Sequence, residues 1–180
     1  MTGKCRNLKF GFTAAVTSAD TECSSDGERY AQMLTDCKLG FELGNDCAWV
    51  LEHHFTDYFP TPSPIVVMSH LAAAFPGLSL GSCVLVLPWY NPLRLAEEIS
   101  MLSHFCKGDL HLAFGRGTAK IEYDAYDIDM SSAKERFKEA IKIINQALLG
   151  EPFEFKGDFY EVGRKVAIRP TPNREKIHFY

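Results

Sequence analysis

The sequence predicts an α/β fold built on a parallel sheet, and three observations carry that expectation. Strand-like apolar runs alternate with helix-period segments four times, with strand starts about 30 to 40 residues apart. One run, Leu78 to Leu87, is apolar almost throughout, as strands covered on both faces are. The chain has 180 residues of which 46% are hydrophobic, enough for one sizeable core. Right-handed crossovers then give a parallel sheet, either an open doubly wound sheet or a (β/α)8 barrel. No Gly-x-Gly-x-x-Gly follows the first strand, which weakens the nucleotide-binding open sheet. A complete barrel needs eight units and typically about 250 residues. The sequence supplies four units and reads as half a barrel, a single incomplete domain over residues 1–180.

The elements follow in order. Leu8 to Val16 is a first strand, and Thr17 to Gly27 a polar loop. Ser25 or Asp26 caps a helix with Tyr30, Leu34, Cys37 and Phe41 at helical spacing, stopped at Gly44. Cys47 to Leu51 is the second strand and runs into Glu52-His53-His54. After Pro60, Pro62 and Pro64, Ile65 to Ala74 is a helix so apolar that it must be covered on two sides. Leu78 to Leu87 is the third strand. Leu93 to Phe105 is the third helix, with Leu95, Ile99, Leu102 and Phe105 on one stripe. Leu110 to Phe114 is the fourth strand, ending in Gly115-Arg116-Gly117. Thr118 to Met130 reads as a polar, aromatic loop of functional length. Ser131 or Ser132 caps a fourth helix that runs to Leu149 and stops at Gly150. Phe153 to Val162 is a hairpin around Lys156-Gly157-Asp158, and Ala167 to Pro172 is extended. The end at Phe179-Tyr180 falls where a fifth strand would begin. On this reading the first and fourth strands are unpaired edges, and inward apolar residues of all four strands lie in water. The chain is therefore expected to be a fragment or to associate.

Composition narrows the function. A net charge of −4 without dense Lys/Arg runs argues against nucleic-acid binding. The longest apolar run, Leu78 to Tyr90, is well short of the roughly 20 residues that span a bilayer. Lys4, Arg6 and Lys9 before Phe10-Gly11-Phe12 only faintly imitate a signal peptide. Cys5, Cys23, Cys37, Cys47, Cys83 and Cys106 form no C-x-x-C pair, the pattern of buried thiols in a reducing cytosol.

In a parallel barrel the active site lies at the C-terminal ends of the strands. Those ends carry Thr13 to Val16, Glu52-His53-His54, Leu87 to Tyr90 and Gly115-Arg116-Gly117. The bland alternative for Glu-His-His is a strand that becomes wet at its end, its histidines satisfied by the backbone. Glycines on both sides let Arg116 approach a ligand, and its fork suits phosphate or carboxylate, unless a loop Asp or Glu pairs with it. Adjacent His53 and His54 point to opposite faces, whereas Glu52 and His54, two apart, could share a metal in a barrel hydrolase, but no third ligand is placed beside them. A Ser-His-Asp hydrolase lacks its Gly-x-Ser-x-Gly turn.

Leu51-Glu52-His53-His54-Phe55, Gly81-Ser82-Cys83-Val84-Leu85-Val86-Leu87-Pro88, Asn91-Pro92-Leu93-Arg94 and Phe114-Gly115-Arg116-Gly117 together resemble the bacterial luciferase-like flavin monooxygenases, in order and spacing from about Leu8 to Pro172. The resemblance implies a (β/α)8 barrel that binds reduced FMN, or a deazaflavin, and uses O2 to oxygenate an aldehyde, ketone or similar small organic substrate. It implies that His53 is the catalytic imidazole near the reactive flavin carbon and that Glu52 lies close to the ring system. Cys83-Val84 falls where family members often hold a non-proline cis peptide against the flavin, and Arg116 would anchor the flavin phosphate. His54 and Glu97 match positions that meet across a homodimer interface of the second and third helices. A flavin reductase is the implied further partner, and the cytoplasm the implied location. Ser103-His104-Phe105-Cys106-Lys107-Gly108-Asp109 stands where Asp-His-Leu-Ser-x-Gly-Arg is commoner, so Asp109 is expected to cost an ion pair. Strands five to eight, which complete the flavin platform, are missing from this reading. The chain alone is expected to bind flavin weakly or not at all, and a non-catalytic flavin-binding or assembly protein is the second reading.

Overall fold

A computed structural model describes residues 8–16 and 25–180. Five parallel strands form one sheet: β1 (Gly11–Ala14), β2 (Cys47–Val50), β3 (Ser79–Val86), β4 (Leu110–Gly115) and β7 (Ile177–Phe179), in that spatial order. Between them run α1 (Asp26–Glu42), α2 (Pro64–Ala74), α3 (Pro92–Phe105), α4 (Lys120–Ala125) and α5 (Ala133–Ala147). A separate antiparallel hairpin, β5 (Phe153–Lys156) and β6 (Glu161–Val166), precedes the last strand. Spatial order follows chain order without the reversal that a doubly wound sheet requires. Right-handed crossovers in sequential order place every covering helix on one face.

That face is the core. Ala48, Val50, Leu80, Leu110 and Leu112 are fully buried beneath Met68, Leu71, Leu95, Ile99, Leu102 and Ile144. Each such side chain stabilises the fold by about 1.5–3 kcal/mol relative to exposure. The caps follow the sequence: Ser25 accepts from Glu28 N, Ser63 from Val66 N, and Asn91 from Leu93 N and Arg94 N. Gly44 and Gly150 close α1 and α5 with positive φ.

The opposite face differs from the expectation. Thr13, Trp49, Gly81, His111 and His178 lie in one register row across all five strands. This row is polar, small or aromatic, not aliphatic. The Trp49 indole spreads over both neighbouring strands: a Cβ on Gly11 would lie 2.7 Å, and one on Gly81 2.4 Å, from its ring atoms. Further along, His111 and His178 stack at 5.2 Å, and His111 Nδ1 meets the Tyr180 hydroxyl at 3.1 Å. Asp109 Oδ1 lies 3.6 Å from His178 Nε2 on the neighbouring strand.

Other corrections are local. A fifth strand does form inside the chain, so β7 and not β4 is the edge. The stripe of α3 continues from Leu102 to buried Cys106, four residues on, and leaves Phe105 in water at 55% exposure. The helix α2 is covered along Ile65, Val67, Met68, Leu71 and Ala72, but Val66 is exposed. Residues 118–130 are not an open loop, since α4 lies within them. Ser132 begins α5 without a side-chain cap, while Asp129 caps the turn before it. The polar loop expected over Thr17 to Gly27 lies outside the described residues up to position 24, as do Lys4, Arg6, Cys5 and Cys23.

Gly81→Ala is expected to destabilise the protein by about 1–3 kcal/mol, because the new methyl meets the Trp49 ring. Urea titration followed by Trp fluorescence checks this, and an unchanged midpoint contradicts the packing described.

Candidate functional site

The end of β2 is held by a buried carboxylate. Glu52 Oε2 accepts from Val86 N at 3.1 Å and from the Tyr90 hydroxyl at 2.9 Å, while Oε1 lies 3.0 Å from His54 Nε2. An ionised carboxylate only accepts, so His54 Nε2 carries the proton. His54 Nδ1 is then the acceptor for the Tyr126 hydroxyl at 2.9 Å. The chain Tyr90–Glu52–His54–Tyr126 thus ties β2, β3 and the end of α4 together. Burial, and then the Glu52 carboxylate beside it, push the Tyr90 phenol far above its ordinary range. Burial followed by Glu52 and Glu122 raises Tyr126 as well.

His53 points elsewhere. It is one-third exposed, and its Nδ1 lies 3.5 Å from Oε1 of buried Glu122. The same oxygen accepts from His54 N at 3.0 Å. Phe59 stacks on the His53 ring at 6.1 Å and Tyr58 meets it edge-on at 5.4 Å. Phe55 and Phe59 both hold positive φ, a costly backbone for bulky residues that clusters at functional segments. Glu122 and Tyr123 explain why residues 120–125 fold as a helix. Tyr123 is buried, its hydroxyl donates to Arg116 O, and its ring packs 4.5 Å from Trp89.

The other strand ends complete the face. The Cys83–Val84 peptide is cis, at an irregularity where the β3–β4 register shifts between Ser82 and Leu85. Cys83 is exposed, unlike Cys37, Cys47 and Cys106. Burial pushes the Cys37 thiol up to about 11 and the Cys47 thiol up to about 12. Arg116 is exposed, and among the described residues no carboxylate pairs with its guanidinium. Gly117 beside it has φ +74, and a Cβ there would lie 2.8 Å from Val86.

The candidate residues Glu52, His53, His54, Cys83 and Arg116 therefore lie toward the C-terminal end of the sheet, but in two environments. His53, Cys83 and Arg116 have exposed atoms there. Glu52 and His54 are buried, with their polar atoms bonded inside the chain. Both His54 nitrogens are bonded within the chain, and Glu97 is exposed on α3. Among the described residues no cluster of three His, Cys, Asp or Glu side chains has metal-binding geometry. Glu122 was not legible from the sequence, its one signal being a buried-type Glu-Tyr pair inside a polar segment.

A family described as luciferase-like monooxygenase matches residues 10–179. Among curated proteins, the chain is 33% identical over 152 residues to the uncharacterized protein y4wF of Sinorhizobium fredii, covering 84% of this chain and 44% of that protein. It is 28% identical over 145 residues to the oxygenase component of the flavin-dependent trigonelline monooxygenase of Acinetobacter baylyi, covering 79% and 40%. The chain thus spans less than half the length of these curated relatives. Among solved structures, monooxygenase RslO1 of Streptomyces bottropensis superposes with a TM-score of 0.87 at 24% identity, covering 96% of this chain and 52% of that one. The oxygenating constituent of 3,6-diketocamphane monooxygenase of Pseudomonas putida, in complex with FMN, gives 0.82 at 17% identity, covering 96% and 51%. An F420-dependent secondary alcohol dehydrogenase gives 0.77 at 20% identity, covering 95% and 51%.

Two outcomes follow from the geometry. Glu52→Ala strands the His54 ring, Val86 N and the Tyr90 hydroxyl, and is expected to cost about 3–5 kcal/mol of stability by chemical denaturation. A loss well under 1 kcal/mol contradicts the network (about the level of a surface change). Under alkylation, Cys83 is expected to react about tenfold or more faster than Cys37, Cys47 or Cys106, as peptide mapping would show. Equal rates contradict the burial pattern.

Proposed function

The chain belongs to the luciferase-like monooxygenase family, and on that premise we propose that it forms the N-terminal half of a (β/α)8 barrel that uses reduced flavin and O2 to oxygenate an aldehyde, ketone or similar small organic substrate. The observation that carries this reading is the occurrence, toward one end of the sheet, of a partly exposed imidazole and an arginine that, among the described residues, no carboxylate pairs with. A free guanidinium between glycines fits a phosphate, and it forms bidentate charge-assisted hydrogen bonds there. FMN is the cofactor we assign, with a deazaflavin as the variant. The FMN complex of the diketocamphane enzyme and the F420 dependence of the alcohol dehydrogenase are the neighbours that support each.

Bound reduced flavin supplies the electrons with which O2 is activated. The residues of this chain do the rest. Arg116 would hold the phosphate. The Cys83–Val84 backbone would help to seat the ring system. Glu52 serves that platform by fixing Val86 and Tyr90 around it, without exposing its own charge. His53 holds or moves a proton at the reacting atoms, and the Tyr58 and Phe59 rings pack beside it.

The trigonelline protein is named as an oxygenase component, which supports a separate flavin reductase as a partner here. A homodimer through α2 and α3 is part of the same reading, with exposed Val66 on one helix and Glu97 and Met101 on the other. So is a cytoplasmic setting, where the scattered thiols stay reduced. Among the described residues no helix is long and apolar enough to cross a membrane.

In the complete barrel, His53→Ala is expected to slow oxygenation about 100-fold or more while flavin affinity stays within a few-fold. Equal loss of both counts against the proton role. Arg116→Ala is expected to weaken FMN binding by about 10-fold to 100-fold, measured by titration calorimetry. Unchanged affinity removes the phosphate role.

A further inference from the structure

We propose that Glu122 is a positioning residue for the reaction: it fixes the tautomer and the direction of the His53 ring. The claim rests on reading His53 as the working imidazole. Glu122 is 3% exposed, deep behind the strand ends. One oxygen, Oε1, faces two groups from adjacent residues of the same segment. It takes the peptide N–H of His54 at 3.0 Å and lies 3.5 Å from His53 Nδ1. The first contact locks the backbone that carries both histidines. The second orients one ring.

Charge decides the tautomer. An ionised carboxylate has lone pairs and no proton, so it favours an N–H on the nitrogen that faces it. His53 is then protonated at Nδ1, and Nε2 carries the lone pair. Among the described residues Nε2 has no hydrogen-bond partner. The ring is also held in plane by Phe59, which stacks on it, and in tilt by Tyr58. The arrangement offers an oriented base at Nε2, with a carboxylate behind it to stabilise the imidazolium after a proton is taken up. At 3.5 Å the contact is electrostatic and not a hydrogen bond, and it acts on the ring through the charge of the carboxylate. A bond to His54 N alone would need only any acceptor. A buried carboxylate aimed at both groups is a more expensive choice, and the ring is what it serves.

The neighbouring histidine is a built-in control. His54 is fixed as Nε2–H by Glu52 and Tyr126, independently of Glu122's contact with His53. The test is the long-range 1H–15N spectrum of the 15N-His-labelled chain at mildly alkaline pH, without flavin. His53 is expected to show a protonated Nδ1 and an unprotonated Nε2, while His54 shows the reverse. In Glu122→Ala the Nδ1–H signature of His53 is expected to be lost in favour of the Nε2–H form that free imidazole prefers, with His54 unchanged. Glu122→Gln keeps an acceptor for His54 N, so the segment stays folded, and at least half of the Nδ1–H population should still be lost. A wild-type His53 that reads as Nε2–H overturns the proposal outright, whether or not the variants fold. So does an unchanged His53 signature in both variants. Because the readout needs neither flavin nor turnover, its failure leaves the monooxygenase reading standing. A correct tautomer in a protein that binds no flavin would instead count against that reading alone.

Discussion

The site depends on one buried charge. Removing a carboxylate such as Glu52 from water costs several kcal/mol, and the cost is offset only where well-placed donors satisfy its oxygens. Here the donors are Val86 N, the Tyr90 hydroxyl and His54 Nε2, taken from the end of β3, the turn after it and the segment after β2. None can move without exposing the charge to an apolar surrounding. The network therefore works as a lock on backbone geometry. Tyr126 extends the lock to the residue that follows α4. What it leaves unlocked is His53, whose ring turns away from Glu52 and toward Glu122.

Sheet topology explains why these groups meet. With strands in sequential order and helices on one side, all C-terminal ends face the same way, and residues about 30 or more apart become neighbours. The open face then separates into two zones. Trp49, His111 and His178 occupy the middle of the sheet, where Gly11 and Gly81 give the indole room. Cys83, Gly115 and Arg116 lie toward the C-terminal end, where small side chains and a bulge bring backbone to the surface. The same contrast runs through the cysteines: those under the helices are held protonated by burial, and Cys83 alone of the described four is exposed.

Much of the fold was legible because it is punctuated. Pro64, Pro92, Gly44 and Gly150 mark real helix ends, and the two-sided apolarity of Leu78 to Leu87 marks a real central strand. The helix α4 was illegible for a physical reason. It has six residues and no side-chain cap, so its stability comes from Tyr123 under Trp89 and from Glu122 beneath the histidines. Such contacts lie tens of residues away in sequence. The site was legible in position but not in direction. Residue type placed Glu52, His53, His54, Cys83 and Arg116 at the strand ends. Whether a carboxylate there faces a ligand or the protein is decided by Val86 and Tyr90, which local pattern cannot weigh. The open face likewise looked aliphatic in the abstract, yet the register selects Thr13, Trp49, Gly81, His111 and His178.

The central claim is that the C-terminal end of this sheet is the flavin surface. The most direct measurement is a 1H–15N spectrum of the chain titrated with FMN, which detects even weak binding. The account predicts shifts concentrated at residues 52–54, 83–84 and 115–117, with the other end of the sheet, around Gly11, Cys47 and Gly108, unperturbed. Shifts centred on that other end, or spread evenly over the chain, would contradict it.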